Sequence, residues 1–540
     1  MKTPTITNNL VFTFLLITLC LSKAHADRDH HDDFMACLSN RSNNRTLISN
    51  IVYTPNNSSY LSVLQSSIRN PRFASPSTRR PLLIVTPVHE SQIQDIVHCA
   101  RQNKLQIRTR SGGHDYEGLS YRTLRTPFII LDMVNLSEIT IDLEHETAWV
   151  QTGATLGQLY YAISQRSRTL AFPAGGCPTV GAGGHISGGG YGPMLRRFGL
   201  AADQVIDARI VNVNGTILDR KSMGEDLFWA IRGGGAASFG VITEWKIRLV
   251  RVPETVTTFA VSQTLEQNAT KLIHRWQYVA PNLPNDLTIV VIVSKVNTSD
   301  RQTIQATFTT LYLGSVDTLI PLLQNRFPEL GVRREDCNEM SWVQSTLLFS
   351  GYSLESSTDV LTNRVPLTNF YFKGKSDYVQ EPIPEQGIEG LWRFWTQAEA
   401  GMTNMIMTPY GGRMSEISSS ALPFPHRANN LYKILHLVNW NESGEAASER
   451  HISWTRRMYA YLAPFVSKSP RAAYFNYRDL DLGVNNDRYT SYAKASVWGF
   501  KYFKNNFKRL VKVKTKVDPS NFFRNEQSIP SMYSWPAKKN

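Results

Sequence analysis

Cysteine is scarce, five residues in 540, and no Cys/His group has the close pairwise spacing of a zinc site. That sets aside a structural or catalytic metal centre. No stretch reaches the roughly 18 apolar residues that a membrane span needs. Internal repeats and low-complexity runs are absent. Acidic residues lag behind basic ones, 44 against 58, for a formal net charge of +14. Such an excess favours anionic surfaces, for example acidic polysaccharide. It does not mark a nucleic-acid binder, because the basic residues are scattered and no DNA- or RNA-binding motif is present. What is left is an ordinary globular composition, with enough chain for two or three domains with real cores.

The first residues read as a signal peptide over 1–26. Lys2 supplies the positive start, Leu10–Leu21 the apolar run and Ala24-His25-Ala26 the cleavage pattern. The expected location is therefore outside the cell, in the apoplast or wall, or in a lumenal compartment such as an ER-derived vesicle or vacuole. Asn40, Asn44, Asn56, Asn57, Asn135, Asn214, Asn268, Asn297 and Asn441 stand in N-x-S/T, which suits a glycoprotein surface. Cys20 leaves with the signal peptide. Among Cys37, Cys99, Cys177 and Cys337, an oxidising compartment favours a bridge, but spacing does not choose the pair.

Pro81–Val88 reads as a buried strand, Glu90–Gln102 as an amphipathic helix and Leu105–Arg110 as a strand running into Ser111-Gly112-Gly113-His114. This is a βαβ-like unit ending in a glycine turn. Strands are expected at Phe128–Asp132, Thr147–Thr152, Val205–Val213 and Phe239–Leu249, with helices at Leu156–Gln165 and Asp226–Ile231. Beyond about Val256 the pattern changes. Helical segments at Asn268–Val279, Val316–Phe327 and Met340–Leu348 alternate with strands at Leu287–Val293, Gln305–Tyr312 and Leu431–Asn439. A second, α+β domain on an antiparallel sheet is expected there, with an amphipathic helix at Tyr502–Val513 in the tail.

The densest signal is Pro173–Gly192, PAGGCPTVGAGGHISGGGYG, in which nine of twenty residues are glycine. Glycine is entropically costly, so this density implies backbone that bends through unusual conformations or lies close to a ligand. A linker would lack the Cys, Val, His, Ile and Tyr found here. A dinucleotide turn would lead into an apolar helix and an acidic residue at a strand end. Gly181, Gly183 and Gly184 do neither, and Asp203 precedes a strand. The stretch reads as a cofactor-hugging loop that is not a Rossmann turn. It presents Cys177, as the earlier glycine turn presents His114. Both side chains can bond to an electrophilic ring.

RSGGHDYEGLSY, CPTVGAGGHISGGGYG, DLFWAIRGGGAASFGVI, NYRDLDLG and the Pro519–Phe523 tail together resemble plant berberine bridge enzyme-like oxidases, of the vanillyl-alcohol-oxidase flavoprotein superfamily. The similarity runs over nearly the whole mature chain. It implies an α+β fold, with a two-lobed PCMH-type FAD-binding domain over 27–253 (core about 77–253) and an α+β substrate domain over 254–473. A berberine-bridge-type segment over 474–540 would return to the FAD domain. The family's disulfide corresponds to Cys37–Cys99. The resemblance implies FAD held bicovalently, His114 to the 8α-methyl and Cys177 to C6, with the Ser111–His114 amides cradling the pyrophosphate. Arg110, Ser111, Gly112, Gly113, Asp115, Gly176, Thr179, Val180, Gly183, Gly184, His185, Gly188, Gly189, Val241, Asn476 and Tyr477 complete the expected cofactor contacts.

Catalysis in such enzymes removes a proton from an alcohol and a hydride from the same carbon. Tyr477 stands where relatives carry a catalytic tyrosine, with Lys433 as a cation to lower its pKa and Tyr116 and Tyr191 lining the pocket. Val180, three residues after the cysteine, is the permissive type for oxygen access, which implies O2 as acceptor and hydrogen peroxide as product. Leu435 departs from the polar residue many oxidising relatives carry two positions after the lysine. It points to a more apolar substrate, or to a cyclase that keeps flavin as a scaffold and acts on plant phenolics, including Diels-Alder-type chemistry. A carbohydrate-binding role without catalysis fits poorly with Tyr477, Lys433 and Tyr116 together. The expected partners are a small-molecule or oligosaccharide substrate and O2, with no nucleic acid, no metal and no membrane span, for a monomeric enzyme.

Overall fold

The computed structural model describes residues 30–41, 49–124, 126–299, 301–486 and 490–533. The signal-peptide segment, Cys20 and the sequon at Asn44 lie outside them. Strands β1 (Val52–Tyr53), β2 (Ile84–Val85), β3 (Gln106–Arg110) and β4 (Phe128–Asp132) form a sheet in the order β1-β2-β4-β3. β2, β4 and β3 run parallel, and β1 is antiparallel to β2. The helix Glu90–Gln102 connects β2 to β3 and buries Ile93, Ile96, Val97 and Ala100 completely. The crossover leaves Ser111–His114 at the carboxyl end of β3, where open α/β sheets gather ligands. Cys37 and Cys99 form a disulfide that ties the N-terminal helix to this one.

Next in the chain come β5 (Ile139–Asp142), β6 (Thr147–Gln151), β7 (Leu170–Ala171), β8 (Val205–Val211), β9 (Ile217–Leu218), β10 (Val241–Arg248) and β11 (Val250–Arg251). β5-β6-β10-β8-β9 make an antiparallel sheet, and β7 pairs with β11. The glycine-rich stretch runs between β7 and β8. The third sheet is built from β12 (Val256–Thr264), β13 (Leu287–Asn297), β14 (Gln302–Tyr312), β15 (Cys337–Met340), β16 (Tyr371–Val379), β17 (Met402–Pro409) and β18 (Tyr432–Trp440). Its seven antiparallel strands are ordered β15-β12-β14-β13-β17-β18-β16. Alternation gives it two unlike faces. Val291, Val293, Met405, Met407, Ile434 and Val438 are buried against the helices Ala269–Val279, Glu385–Trp395 and Glu445–Tyr461. Lys433 and Leu435 point the other way, toward Tyr191 and Tyr116. The architecture is α+β.

Several elements differ from the sequence reading. Pro81–Val88 is regular strand only at Ile84–Val85, because Pro81 has no N–H to donate and Pro87 ends the run. β8 stops at Val211 because the Asn212 side chain accepts from Asn214 and Thr216 N–H and turns the chain. The glycine stretch contains a short helix, Ala182–Ser187, opened by the Ala182 N–H bond to Ala154 O. The tail carries two helices, Tyr492–Phe503 and Asn506–Val517, in place of one over Tyr502–Val513. Lys504 breaks the run at φ 45°, and Phe507 folds back onto Tyr492, Trp498 and Phe500. The apolar period continues across the break, so periodicity alone could not show it.

The described sequon asparagines, Asn40, Asn56, Asn57, Asn135, Asn214, Asn268, Asn297 and Asn441, are all exposed. Among the described residues no helix is long and apolar enough to cross a membrane.

The tail is anchored by a buried charge. Lys514 Nζ donates to Ser238 O, Phe523 O and Asp518 Oδ2 at 2.6, 2.7 and 2.6 Å, with lysine and aspartate fully buried. Asp518 also accepts from the Phe522 and Phe523 amides. Lys514→Met strands that carboxylate and two carbonyls, and is expected to destabilise the fold by about 3–5 kcal/mol in urea unfolding. A loss below 1 kcal/mol (roughly the worth of one ordinary hydrogen bond) would show that the tail is held by packing alone.

Candidate functional site

The two glycine turns touch. A Cβ on Gly112 would lie 2.3 Å from the Gly181 backbone nitrogen and 2.8 Å from Thr179 O. Only residues without side chains permit this approach. The contact brings His114 and Cys177 together, 63 positions apart in sequence. His114 Nε2 lies 2.9 Å from Thr179 Oγ1, and Cys177 Sγ lies 3.6 Å from the same hydroxyl. The thiol is exposed. Burial, reinforced by Arg69, lowers the His114 pKa to about 3, so its imidazole is neutral and nucleophilic near pH 7.

The phenol cluster adjoins these turns. Tyr477 Oη hydrogen-bonds Tyr191 Oη. The Tyr116 ring stacks on Tyr477 at 5.3 Å and 18°. Tyr116 fits there because β16 carries Gly374, whose Cβ would lie 2.5 Å from the ring. Lys433 Nζ stands 2.9 Å from the Tyr191 ring centroid and 4.7 Å from that of Tyr477. It is fully buried and has no hydrogen-bond partner. Burial drives its pKa well below the usual lysine value. Burial first, then Tyr191 and Tyr116, raises that of Tyr477 well above the usual phenol value; Tyr191 is raised to about 12 by burial. A charged Lys433 lowering the Tyr477 pKa, as expected from sequence, does not describe the resting site, because desolvation favours the neutral form of both groups.

Other expected cofactor contacts are engaged within the protein. Arg110 is fully buried and bonds Asp132 and the carbonyls of Val63 and Leu64, so its side chain is not free for a ligand. Asp115 accepts from the Glu117 and Leu119 amides and from Arg478. Val241 is buried in the core beside Val211. Asn476 Nδ2 donates to His185 O and Tyr474 Oη at 2.9 and 3.0 Å, fastening the glycine stretch to the C-terminal segment. Ser111 donates to Thr152 O, and Gly176 O accepts from Ser350 at 2.8 Å. Val180 is half-buried, and a Cβ on Gly183 would press on Thr152. Gly188 abuts Asn476, Gly189 faces Phe424, and Gly184 borders open space. Gly113 has φ 72° and packs on Ser67.

Sequence reasoning did not single out Tyr474, whose hydroxyl accepts from the Gly190 N–H at 3.0 Å and whose ring meets Tyr191 and Tyr477 edge-on. It lies two positions before the NYRDLD motif, an aromatic among aromatics. Tyr378 is a buried residue of β16 stacked on His426. Arg393 lies on the helix Glu385–Trp395.

The chain matches two family models, an FAD binding domain over residues 81–220 and a berberine and berberine-like segment over 473–530. It is 52% identical to tetrahydroberberine oxidase of Berberis wilsoniae, over 98% of this chain and 99% of that protein. The chain belongs to the berberine bridge enzyme-like family. The solved structure of berberine bridge enzyme-like 28 from Arabidopsis thaliana superposes with a TM-score of 0.87 at 47% identity, covering 93% of this chain and 99% of that one. The glucose dehydrogenase Phl p 4 superposes with a TM-score of 0.88 at 45% identity over 92% and 99%. This berberine bridge enzyme-like chain is therefore an FAD-dependent oxidoreductase of the oxidase type.

His185 gives the family loop a pH-sensitive support. Its Nε2 accepts the Gly175 N–H at 3.2 Å, which requires the unprotonated ring. Burial, then Lys433, lowers its pKa to about 4. The unfolded imidazole, at about 6.5, takes up its proton first as pH falls. The stabilisation is full above pH 6.5 and is lost progressively toward pH 4. The thermal midpoint is expected to fall over that window, and His185→Gln to flatten the decline relative to the parent. Parallel curves would remove His185 as a cause.

Proposed function

We propose that FAD is attached through both His114 and Cys177, and that the enzyme oxidises an alcohol, a hemiacetal or a comparable carbon of a plant metabolite, with O2 as acceptor and hydrogen peroxide as product. The observation that carries this reading is the shared Thr179 hydroxyl, which turns two nucleophiles from separate glycine turns toward one space. The donor set fits the cofactor: a neutral imidazole, an exposed thiol and a cradle that Cβ atoms would fill. Bound there, the flavin supplies the hydride acceptor.

The chain's own residues manage the proton. Tyr477 first passes its phenol proton to the neutral amine of Lys433 and, as a phenolate whose charge the hydrogen bond to Tyr191 spreads over two oxygens, takes the proton from the substrate. Lys433, poised above the Tyr191 ring, offsets that charge once it forms. No carboxylate is needed at the reacting carbon. Thr408 and Tyr378 flank Lys433 in the sheet register, and Leu435 sits between Ser376 and Ile406. Leu435 is buried at 4% exposure and sits close to Gly374, so the floor beside Tyr116 is apolar. This favours aromatic or prenylated donors, and the name tetrahydroberberine oxidase on a 52% identical relative points the same way. The Val180 reading is supported by Phl p 4, a glucose dehydrogenase that is described as a glucose oxidase when one isoleucine becomes valine. The apolar floor also favours a second reading, a cyclase with no net oxidation. The exposed sequons and the leader support a secreted, glycosylated enzyme.

Acid precipitation of purified enzyme should leave the yellow colour in the pellet. His114→Ala and Cys177→Ala should each retain flavin through the other residue, and the double variant should release it; colour in the supernatant of the parent removes the double linkage.

Tyr477→Phe should slow bleaching of the flavin band by about 100-fold or more, as loss of a general base does. A suitable donor panel is tetrahydroberberine, glucose, oligosaccharides, monolignols and prenylated phenolics. Peroxide should appear in step with turnover. Product formed anaerobically without bleaching selects the cyclase.

A further inference from the structure

Beside the phenol cluster lies a group of buried charges that proton transfer does not use. β16 is an edge strand of the large sheet, and its Lys373 and Lys375 point to the face opposite Gly374. Lys373 Nζ donates to Glu117 Oε1 and, at 2.7 Å, to Asp479 Oδ1. Lys375 Nζ reaches Asp479 Oδ2 and Asp481 Oδ2, both at 2.7 Å. Arg456 holds Asp481 from outside at 2.8 Å. The side chains of Lys373, Lys375, Glu117 and Asp479 are no more than 5% exposed. A second pair, Arg478 with Asp115 at 2.8 Å, joins the same two loops.

The sequence positions of these charges are not random. Asp115 and Glu117 flank Tyr116. Arg478 and Asp479 follow Tyr477. The stacked rings sit between two ion-pair clamps, and the loops straddle the sheet edge with tyrosines on one side and carboxylates on the other.

Clusters of this kind are costly to bury and are often replaceable by apolar side chains without loss of stability. They do, however, admit only one register, because each carboxylate must meet its own ammonium. We propose that Lys373 and Lys375 are positioning residues for the Tyr116–Tyr477 pair, fixing Tyr477 relative to the loop that carries His114. Burial opposes the charge on Lys373, yet Glu117, Asp479 and Asp481 together hold its pKa above the usual value, so the clamp stays charged across the working pH range. The proposal rests on Tyr477 being the base.

Tyr477→3-fluorotyrosine in the purified holoenzyme reports the ring's surroundings without any substrate. Adding Lys373→Met is expected to shift or split the fluorine resonance, and Lys373→Arg to restore it. The limiting rate of flavin bleaching, with the donor found in the panel above and tetrahydroberberine as first probe, should fall about 10- to 100-fold in Lys373→Met. Half-saturation should stay within about twofold, as expected of a change in position and not in binding. If Lys373→Met fails to fold, Arg478→Gln breaks the second clamp and carries the same readouts. An unmoved resonance overturns the proposal. So does a moved resonance with a parental rate while Tyr477→Phe is impaired. If Tyr477→Phe also runs at the parental rate, the base assignment falls; then, or if no donor in the panel bleaches the flavin, the resonance alone decides the clamp.

Discussion

The contact between Gly112 and Gly181 is the constraint on which the site depends. A single methyl at either position would push the two turns apart by more than an ångström, and His114 and Cys177 would no longer share the Thr179 hydroxyl. Everything chemical is hung from that contact. β3 delivers one turn, the short helix Ala182–Ser187 carries the other away, and the bond from Asn476 to His185 O brings Tyr477 to the same place. Three segments far apart in sequence thus meet around backbone, which is stiffer than side chains and better suited to holding reacting groups in register.

Much of this was legible in the sequence. The helix Glu90–Gln102 and strand Phe128–Asp132 could be read because each is uniformly periodic or uniformly apolar, so local pattern and burial agree. The glycine density of Pro173–Gly192 announced a close approach, and the family motifs named His114, Cys177 and Tyr477. What could not be read was the result of long-range contact. Arg110 lies in the motif RSGGHDYEGLSY beside the cofactor turn, yet its guanidinium is consumed by Asp132 and two carbonyls behind it. The break at Lys504 leaves the apolar period intact. The charge of Lys433 is decided by burial, which a strand pattern shows only in part. Lys373 and Lys375 look like solvent-facing residues of an alternating strand until two distant loops bring Glu117 and Asp479 against them.

The two lysine environments in the large sheet illustrate how one residue type is set to opposite states. Lys373 is buried among three carboxylates and stays charged. Lys433 is just as buried but meets only aromatic rings, and its amine is driven toward neutrality. Desolvation is common to both, so the neighbouring carboxylates decide between the two outcomes. A permanently charged Lys433 would have held a tyrosinate at rest. A neutral amine beside a neutral phenol keeps the site uncharged until a proton actually moves.

That uncharged rest state bears on what the enzyme can take in. A site of phenols, an unpaired amine and an apolar floor at Leu435 offers no fixed charge to a sugar carboxylate and no polar partner to a polyol on the Leu435 side. An aromatic donor would lose little hydration on entering it. A polyhydroxylated one would leave hydroxyls unpaired against leucine and isoleucine at a cost of about 1–3 kcal/mol each. Selection by unpaired polar groups discriminates more sharply than added apolar contact does. On the proposed function, Leu435 therefore acts mainly by exclusion. It leaves the proton chemistry to the tyrosines and narrows the range of donors able to reach them.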